Sequence, residues 1–213
     1  MSVRKIGPNS RTPTGHHPSL KSGRMVQFES PLELDLLYRL DIDPDVISYE
    51  SQPVRIEYVD KGKARHYTPD FLIHRRSGSK HVRLLCEVKT LSDLDKDWRK
   101  YSPGLSAAGH YAERRGWTFE VYSEYEIRTD YLWNAKLLWE HCREPAVQRQ
   151  QTKVLWAMNA LKRCTLSEIA GDISALPDEE SAARTRALWQ LIAQRRIRTD
   201  LERRLHGESV LWI

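Results

Sequence analysis

Apolar residues near the start of the chain recur at helical spacing. Four leucines share this spacing: Leu32, Leu36, Leu37 and Leu40. They would form one face of an α-helix. Ser30-Pro31 is a typical start signal, and Asp43-Pro44 is a typical stop. The pattern therefore predicts an amphipathic helix between these two dipeptides.

The pattern after Asp45 is that of β-strands separated by turns. β-Branched and aromatic residues recur there, and turn residues lie at Asp60 to Lys63 and at Ser77 to Ser79. The predicted strands are Val46 to Glu50, Val54 to Val59, Tyr67 to Arg75 and His81 to Lys89. Consecutive strands joined by short turns predict a β-meander.

Helical and strand patterns alternate along the rest of the first 148 residues. The predicted helices are Asp93 to Tyr101, Ala107 to Arg115 and Tyr131 to Cys142, and a strand is predicted at Trp117 to Tyr122. The predicted order is a helix, a meander, and then further helices with one more strand. This order predicts a mixed sheet flanked by helices. We therefore expect an α/β domain over residues 25–148.

Glu144-Pro145 interrupts the pattern, and residues 149–213 are predicted to form a second, small domain. Three helices are predicted there: Val154 to Leu161, Thr165 to Ala170 and Ser181 to Gln194. Arg195 to Thr199 and Ser209 to Ile213 can pair as a hairpin around Gly207. Three helices followed by a ribbon predict a winged-helix-like C-terminal domain.

Charge distinguishes the N-terminus from the rest of the chain. The 213 residues include 34 Lys plus Arg and 29 Asp plus Glu, which gives a net charge of +5. Residues 1–24 hold five basic side chains and no acidic one, among Gly, Pro, Ser and Thr. Such a composition cannot bury enough apolar surface to offset the entropy of ordering. We expect a flexible basic tail over residues 1–24 that is attracted to polyanions, and an ordinary frayed terminus is the alternative.

Composition also excludes several classes of protein. No run of the sequence approaches the ~18 apolar residues of a membrane span, and no apolar segment follows the N-terminal charges as in a secretory signal. The 3 cysteines are widely spaced, and the 8 histidines show no metal-binding spacing. This disfavours disulfide frameworks and Cys- or His-based zinc sites. We expect a cytoplasmic protein that does not enter a membrane.

The predicted strands bring two carboxylates and a lysine together. Pro69-Asp70 lies on one strand and Glu87-Val88-Lys89 on the next. The strand period of two points Glu87 and Lys89 to one face, and hairpin pairing can bring Asp70 to the same end. Carboxylate oxygens suit Mg²⁺, which is ordinarily held by one or two carboxylates plus substrate phosphate. Lys89 would orient or help to deprotonate an attacking water and stabilise charge on a phosphate.

Each of these residues also has a structural interpretation. Glu87 ends an apolar run, where an unpaired acid is costly, but Lys89 could simply form an ion pair with Asp70 or Glu87. Glu33, on the first helix, is the candidate third carboxylate. Ser30-Pro31-Leu32-Glu33 also fits a capping box, and the residues alone favour the cap.

An ordered set of motifs resembles the TnsA endonuclease subunit of heteromeric cut-and-paste transposons. The segments that carry the resemblance are Phe28 to Glu33, Asp43 to Val46, Tyr49 to Pro53, Arg65 to Phe71 and Glu87 to Lys89. Several motifs in order are more specific than the catalytic residues alone. The resemblance covers residues 28–127. It implies a restriction-endonuclease-like nuclease fold of the PD-(D/E)xK type and a winged-helix-like C-terminal domain.

The resemblance also implies roles for individual residues. It makes Glu33, Asp70 and Glu87 the acidic constellation around Mg²⁺, for which Mn²⁺ is expected to substitute. It makes Lys89 the catalytic lysine. Some family members have an amide where Glu87 stands. Gln52 is included as a candidate for contact with nucleic acid.

Basic side chains outside this cluster are further candidates for contact with DNA. They are Arg75, Arg76 and Lys80 around one turn, and Arg195, Arg196 and Arg198 where a wing would lie. A wing presented to a duplex is normally basic. For the first group, a solvated hairpin tip is the alternative.

The sequence thus leads to the expectation of a Mg²⁺-dependent DNA endonuclease. As the resemblance implies, it would nick the non-transferred strand at the 5′ ends of a transposon. Its partners would be the double-stranded transposon ends, a DDE-type transposase subunit (TnsB) and an ATPase (TnsC). The alternatives are a freestanding restriction or repair endonuclease and a catalytically inert winged-helix adaptor.

Overall fold

A computed structural model describes residues 13–213, and the chain divides into two compact units. The first unit ends at Arg128 and the second begins at Thr129, whereas the sequence predicts the boundary at 148/149. The difference is one helix, which belongs to the second unit. Nδ2 of Asn134 on this helix donates hydrogen bonds to the carbonyl oxygens of Leu201 and Arg203, at 2.9 and 2.8 Å.

An antiparallel hairpin opens the described part of the first unit. Strand β1 (Gly15–Pro18) pairs with β2 (Met25–Phe28). His17 is buried, and its Nε2 lies 2.8 Å from Oδ2 of Asp41. The predicted flexible tail is therefore wrong for residues 13–24, because partners far along the chain order them. The rest of that prediction, residues 1–12, lies outside the described residues.

Helix α1 (Pro31–Ile42) confirms the helix predicted from the leucine spacing. Ser30 is its N-cap, and its hydroxyl oxygen accepts a hydrogen bond from the N–H of Glu33 at 3.1 Å. The four leucines are buried against one face of the sheet.

A separate hairpin interrupts the strands that the sequence predicts as a meander. After β3 (Val46–Ser51), strands β4 (Ile56–Asp60) and β5 (Lys63–Tyr67) pair with each other outside the main sheet. The predicted meander is therefore wrong. The single strand expected over residues 67–75 is broken around Pro69, which has no N–H to donate to a ladder.

The main sheet has four strands in the order β3, β6 (Phe71–Ser77), β7 (Lys80–Val88) and β8 (Thr118–Tyr122). The first three are antiparallel neighbours, and β8 runs parallel to β7. Helix α2 (Leu91–Glu113) connects β7 to β8 and includes the two helices predicted there. Its Asp97 departs from helical dihedral angles, with φ −117° and ψ 24°. The mixed sheet flanked by helices is as predicted.

Both faces of the sheet are buried. Alternate residues of β6 and β7 point to opposite faces. One face packs with α1 through Phe71, Ile73, Leu84 and Cys86, and the other packs with α2 through Leu72 and Leu85. Helix α3 (Glu124–Ile127) closes the unit with the buried Ile127. The core thus holds the ends of β6 and β7, where the predicted catalytic residues lie.

The second unit contains four helices and a short ribbon. The helices are α4 (Asp130–Cys142), α5 (Gln148–Leu161), α6 (Leu166–Ser174) and α7 (Asp178–Ala193). Strand β9 (Arg163–Thr165) pairs antiparallel with β10 (Val210–Trp212).

The hairpin predicted between residues 195–199 and 209–213 is reduced to a single β-bridge. Arg198 and Trp212 exchange two backbone hydrogen bonds, of 2.8 and 3.0 Å. The main partner of β10 is β9, which the sequence did not reveal. Across residues 13–213, no helix combines the length and the apolar character needed to cross a membrane.

Candidate active site

The register of β6 and β7 brings Asp70 and Glu87 to the same end of the sheet. Phe71 pairs with Cys86, so Asp70 and Glu87 come next in this antiparallel register. Oδ2 of Asp70 accepts a hydrogen bond from the N–H of Val88 at 2.7 Å. The carboxyl group of Asp70 is therefore held against the end of β7, beside Glu87.

Lys89 contacts both carboxylates. Its Nζ lies 2.6 Å from Oε1 of Glu87 and 3.9 Å from Oδ2 of Asp70. Glu87 is only 2% exposed, so this is a buried ion pair and not the exposed one considered as the structural alternative. The structure thus brings Asp70, Glu87 and Lys89 together, as the strand spacing predicted.

Negative charge dominates this cluster. Burial raises the pKa of Asp70 well above its ordinary value, and the charges of Glu87 and Glu33 add to that rise. Burial lowers the pKa of Lys89, but the charges of Asp70 and Glu87 outweigh it and raise that pKa overall. Lys89 therefore remains an ammonium, and the carboxyl group of Asp70 favours the binding of a proton or a cation.

Glu33 lies in the electrostatic field of the cluster and also contributes to the helix start, although not through the predicted capping box, because its carboxylate accepts from the N–H of Glu29 where the box requires that of Ser30. Its Oε2 accepts from the N–H of Glu29 at 2.8 Å, and its Oε1 accepts from the hydroxyl of Ser30 at 3.0 Å. Burial raises the pKa of Glu33, although these hydrogen bonds and the charge of Lys89 oppose the rise. The capping role and an electrostatic role at the site are therefore compatible.

One carboxylate oxygen in the cluster lacks a hydrogen bond. Oε2 of Glu87 is buried and has no partner among the residues that the structure describes. A buried, unpaired carboxylate oxygen is costly, and a hard cation such as Mg²⁺ would satisfy it. Asp70 and Glu87 are the two residues that fit such an ion.

The three predicted carboxylates do not form a preassembled set of three metal ligands. No group of three or more His, Cys, Asp or Glu side chains within residues 13–213 is placed to hold a metal ion. Both oxygens of Glu33 already accept hydrogen bonds at the helix start. Mg²⁺ keeps several waters and is usually bound by one or two carboxylates. The donor set that suits it here is therefore a pair.

Gln52 lies behind the cluster and not on its surface. Its side chain is buried, and its Nε2 donates to Oε1 of Glu29 at 2.6 Å. Its backbone N–H donates to the carbonyl oxygen of Asp70 at 2.7 Å. Gln52 thus connects the segment before α1 with Asp70, and its buried side chain does not support the predicted contact with nucleic acid.

The first group of predicted DNA-binding residues lies at the opposite end of β6 from Asp70. Arg75 lies 3.5 Å from Asp43, and Arg76 donates to the carbonyl oxygen of Pro44 at 2.5 Å. Lys80 is exposed at the start of β7. Five residues of strand separate Asp70 from Arg75, roughly 16 Å. These basic residues are therefore not brought to the carboxylate cluster.

The second group lies in one segment of the second unit. Arg196 and Arg198 are exposed, whereas Ile197 between them is buried. Arg195 follows α7 with a left-handed φ of 58°. This alternation directs the side chains of Arg196 and Arg198 outward.

Tyr67 is a residue at this site that the sequence interpretation missed. Its hydroxyl is buried, and burial followed by the charge of Glu87 raises its pKa. Tyr67 precedes Pro69-Asp70 by two residues, but its aromatic side chain is equally typical of a strand core. Nothing in the spacing therefore distinguished it.

Comparison with known proteins agrees with this geometry. Residues 43–124 match the family model described as TnsA-like endonuclease N terminal. The match includes Asp70, Glu87 and Lys89 and begins after Glu33. No curated protein matches the sequence. The segment that carries three of the four predicted catalytic side chains is therefore similar to the N-terminal domain of TnsA-like endonucleases.

Proposed function

We propose that this protein is the endonuclease subunit of a cut-and-paste transposition complex and hydrolyses one DNA strand with the help of Mg²⁺. The observation that carries the proposal is the buried cluster of Asp70, Glu87 and Lys89 within the TnsA-like segment. Fold alone would not establish activity, because a nuclease fold can serve as a scaffold. An inert scaffold would not need a buried pair of carboxylates beside a lysine. The cluster therefore favours an active enzyme.

Asp70 and Glu87 would hold the metal ion. Each offers carboxylate oxygens, and Oε2 of Glu87 is buried without a partner in the described structure. Three carboxyl groups face one ammonium here, because Glu33 contributes to the field at Asp70. A divalent cation balances this excess of negative charge. When bound, Mg²⁺ supplies Lewis-acid assistance and a more acidic water, and Mn²⁺ is expected to substitute.

Lys89 would act as a fixed positive charge. Its raised pKa keeps it protonated, so it is poorly suited to accept a proton from water. Its contact with Glu87 places the ammonium beside the pair that would hold the metal. There it can orient the attacking water and stabilise negative charge that develops on the phosphate. Of the roles considered for it, electrostatic stabilisation is therefore the one we propose.

The proposed substrate and partners are those that the resemblance to TnsA implies. We propose that the enzyme nicks the non-transferred strand at the 5′ ends of a transposon, that a DDE-type transposase (TnsB) processes the 3′ ends, and that an ATPase (TnsC) connects both to the target. A net charge of +5 over 213 residues is modest for a nuclease that must bind DNA tightly alone. This supports action within an assembly, which we expect to lie in the cytoplasm.

The second unit would contribute to DNA binding as a winged-helix-like domain. The order of elements after α4 is α5, β9, α6, α7, the Arg198 bridge and β10. Three helices and a small sheet in this order are compatible with a winged helix. Residues 199–209 would then form the wing. The exposed Arg196 and Arg198 stand beside it and would contact phosphates of the duplex.

The experiment is strand-specific cleavage of a labelled transposon-end duplex with Mg²⁺, with and without the cognate transposase. Wild type is compared with Asp70→Ala and Lys89→Ala, and with Glu57→Gln as an exposed carboxylate control on β4. Cleavage of the non-transferred strand that needs the transposase and disappears only in the two site variants would support the proposal. Cleavage without the transposase would indicate a freestanding nuclease. An assembled wild-type complex that does not cut would indicate an inert adaptor.

A further inference from the structure

A buried tyrosine hydroxyl borders the candidate site. The hydroxyl of Tyr67 makes no hydrogen bond within the described part of the chain, and Oε2 of Glu87 lacks one in the same way. Buried polar groups in folded proteins nearly always have a partner. One of these two groups is a donor and the other an acceptor, so each can satisfy the other.

The hydroxyl faces Glu87. Burial raises the pKa of the Tyr67 phenol, and among the charged groups Glu87 acts on it most strongly, ahead of Asp70. Tyr67 also packs in one apolar cluster with Leu85, which lies two residues before Glu87 and therefore on the same face of β7. The two groups are thus neighbours, although their present geometry falls short of a formed hydrogen bond. A small rotation of the carboxylate or of the hydroxyl would complete the bond.

A glycine in α2 fixes the position of the tyrosine ring. A Cβ atom added at Gly104 would lie 2.5 Å from Cδ2 of Tyr67 and 3.0 Å from Cε2. The ring thus occupies space that only a glycine leaves open. The ring also packs in the apolar cluster that contains Leu85 and Ala108. The hydroxyl is therefore presented to Glu87 by a rigid core and not by a mobile loop.

We propose that Tyr67 is a positioning residue whose hydroxyl donates a hydrogen bond to Oε2 of Glu87 and holds this carboxylate for the divalent cation. The inference rests on the proposed metal-dependent function. Lys89 already fixes Oε1 at 2.6 Å, so a bond from Tyr67 would stop the carboxylate from rotating. Oε2 keeps a second lone pair for the metal. Loss of such an outer hydrogen bond typically weakens metal affinity about 10- to 100-fold.

The test measures the dissociation constant of Mn²⁺ for the full chain, from the electron paramagnetic resonance signal of free Mn²⁺. Tyr67→Phe removes only the hydroxyl. Tyr111→Phe is the matched control, because Tyr111 packs against the same apolar cluster. We expect Tyr67→Phe to raise the Mn²⁺ Kd at least about 10-fold, with Tyr111→Phe unchanged. An unchanged Kd in folded Tyr67→Phe, or an equal rise in Tyr111→Phe, overturns the inference.

A second pair of variants moves the ring but keeps the hydroxyl. Gly104→Ala must displace Tyr67, whereas a Cβ at Gly109 meets only Phe119, at an ordinary 3.8 Å. We expect Gly104→Ala to weaken Mn²⁺ binding relative to Gly109→Ala, and equal affinities would contradict the proposed role. If wild type binds no Mn²⁺, the proposed metal site fails together with this inference. If wild type binds Mn²⁺ and Tyr67→Phe binds it equally well, only this inference fails.

Discussion

Nζ of Lys89 lies 2.6 Å from Oε1 of Glu87, while Oε2 of the same carboxylate is buried with no hydrogen-bond partner in the described residues. A buried carboxylate oxygen without a partner is costly. Oε2 can accept a hydrogen bond from the Tyr67 hydroxyl with one lone pair and bind a divalent cation with the other, so the arrangement suits a site that a ligand completes.

Replacing Lys89 with Met is expected to destabilise the metal-free protein, because it leaves Glu87 as an uncompensated buried charge. Breaking a buried pair in this way costs about 3 kcal/mol or more. Urea unfolding in EDTA at pH 7 measures the loss. The double variant Lys89→Met/Glu87→Gln should recover much of it, since the buried charge is then removed. Equal stabilities of the single and double variants would contradict the buried-pair description.

Asp70→Asn is expected to stabilise the metal-free protein while greatly slowing cleavage. Burial and the neighbouring carboxylates raise the pKa of Asp70, so the folded state favours its neutral form. A raised pKa contributes stability below the unfolded pKa of about 4, and this is lost as pH rises through the folded pKa. Asparagine mimics the neutral form and should raise the urea midpoint at pH 8 in EDTA. Strand cleavage should fall about 10³-fold, and a lower midpoint than wild type would contradict this account.

Glu33→Gln separates the two roles of Glu33. The amide oxygen of glutamine can accept from the N–H of Glu29, and its NH₂ group can donate to the hydroxyl oxygen of Ser30, so the urea midpoint should change little. The negative charge near Asp70 and Lys89 is lost, and cleavage should fall about 10-fold or more. Ser30→Ala is the control, because it weakens the cap by about 1 kcal/mol and keeps the charge. Full activity in Glu33→Gln would assign Glu33 to the cap alone.

The two groups of arginines are expected to differ in their contribution to DNA affinity. Arg196→Ala and Arg198→Ala should each weaken duplex binding and lower its salt dependence by up to about one charge. Arg75→Ala should have little effect, because Arg75 pairs with Asp43 at the opposite end of β6 from Asp70. Fluorescence anisotropy across a salt series measures the affinity for the duplex and its salt dependence. An equal loss of affinity in the two groups would indicate that DNA also contacts the end of β6 opposite Asp70.

Asp41 is expected to control the order of the N-terminal hairpin. Burial raises its pKa, but hydrogen bonds from His17, Tyr49 and the N–H of Leu20 outweigh burial and lower it overall. A lowered pKa contributes stability above the unfolded value of about 4, and this is lost as pH falls through the folded pKa. Asp41→Asn should therefore cost about 2 kcal/mol at pH 7 and much less at pH 3.

Hydrogen exchange of residues 15–28 reports the same change locally. Protection of the hairpin should fall in Asp41→Asn at pH 7 more than protection of the main sheet. Equal destabilisation at both pH values would show that the carboxylate charge is not the cause.

The periodicity of the apolar residues correctly predicted the elements that depend mainly on local sequence. The leucine spacing gave α1, and the strand period correctly placed Glu87 and Lys89 together near Asp70. The break of the meander was missed although Pro69, within the strand expected over residues 67–75, has no N–H to donate to a ladder. The order of the N-terminal hairpin was missed because the partner of His17 is Asp41, 24 positions along the chain.

Charge was a weaker guide to the position of the carboxylate cluster than strand spacing. Arg75 and Arg76 lie beside Asp43 and the carbonyl oxygen of Pro44, and their contact with DNA stays a prediction. Gln52 was included on the resemblance, and its side chain is buried. Tyr67 carries no charge and no distinctive spacing, so only its burial beside Glu87 identifies it.

The most direct test of the central claim is metal-dependent nicking by the assembled complex under single-turnover conditions. Wild type and Asp70→Asn are each assembled with the transposase on a transposon-end duplex, and nicking is followed in EDTA and after addition of excess Mg²⁺. We predict that wild type cuts the non-transferred strand only after Mg²⁺ is added and that Asp70→Asn does not cut. Cleavage by Asp70→Asn at the wild-type rate, or by wild type in EDTA, would contradict the assignment of this carboxylate cluster as the catalytic site.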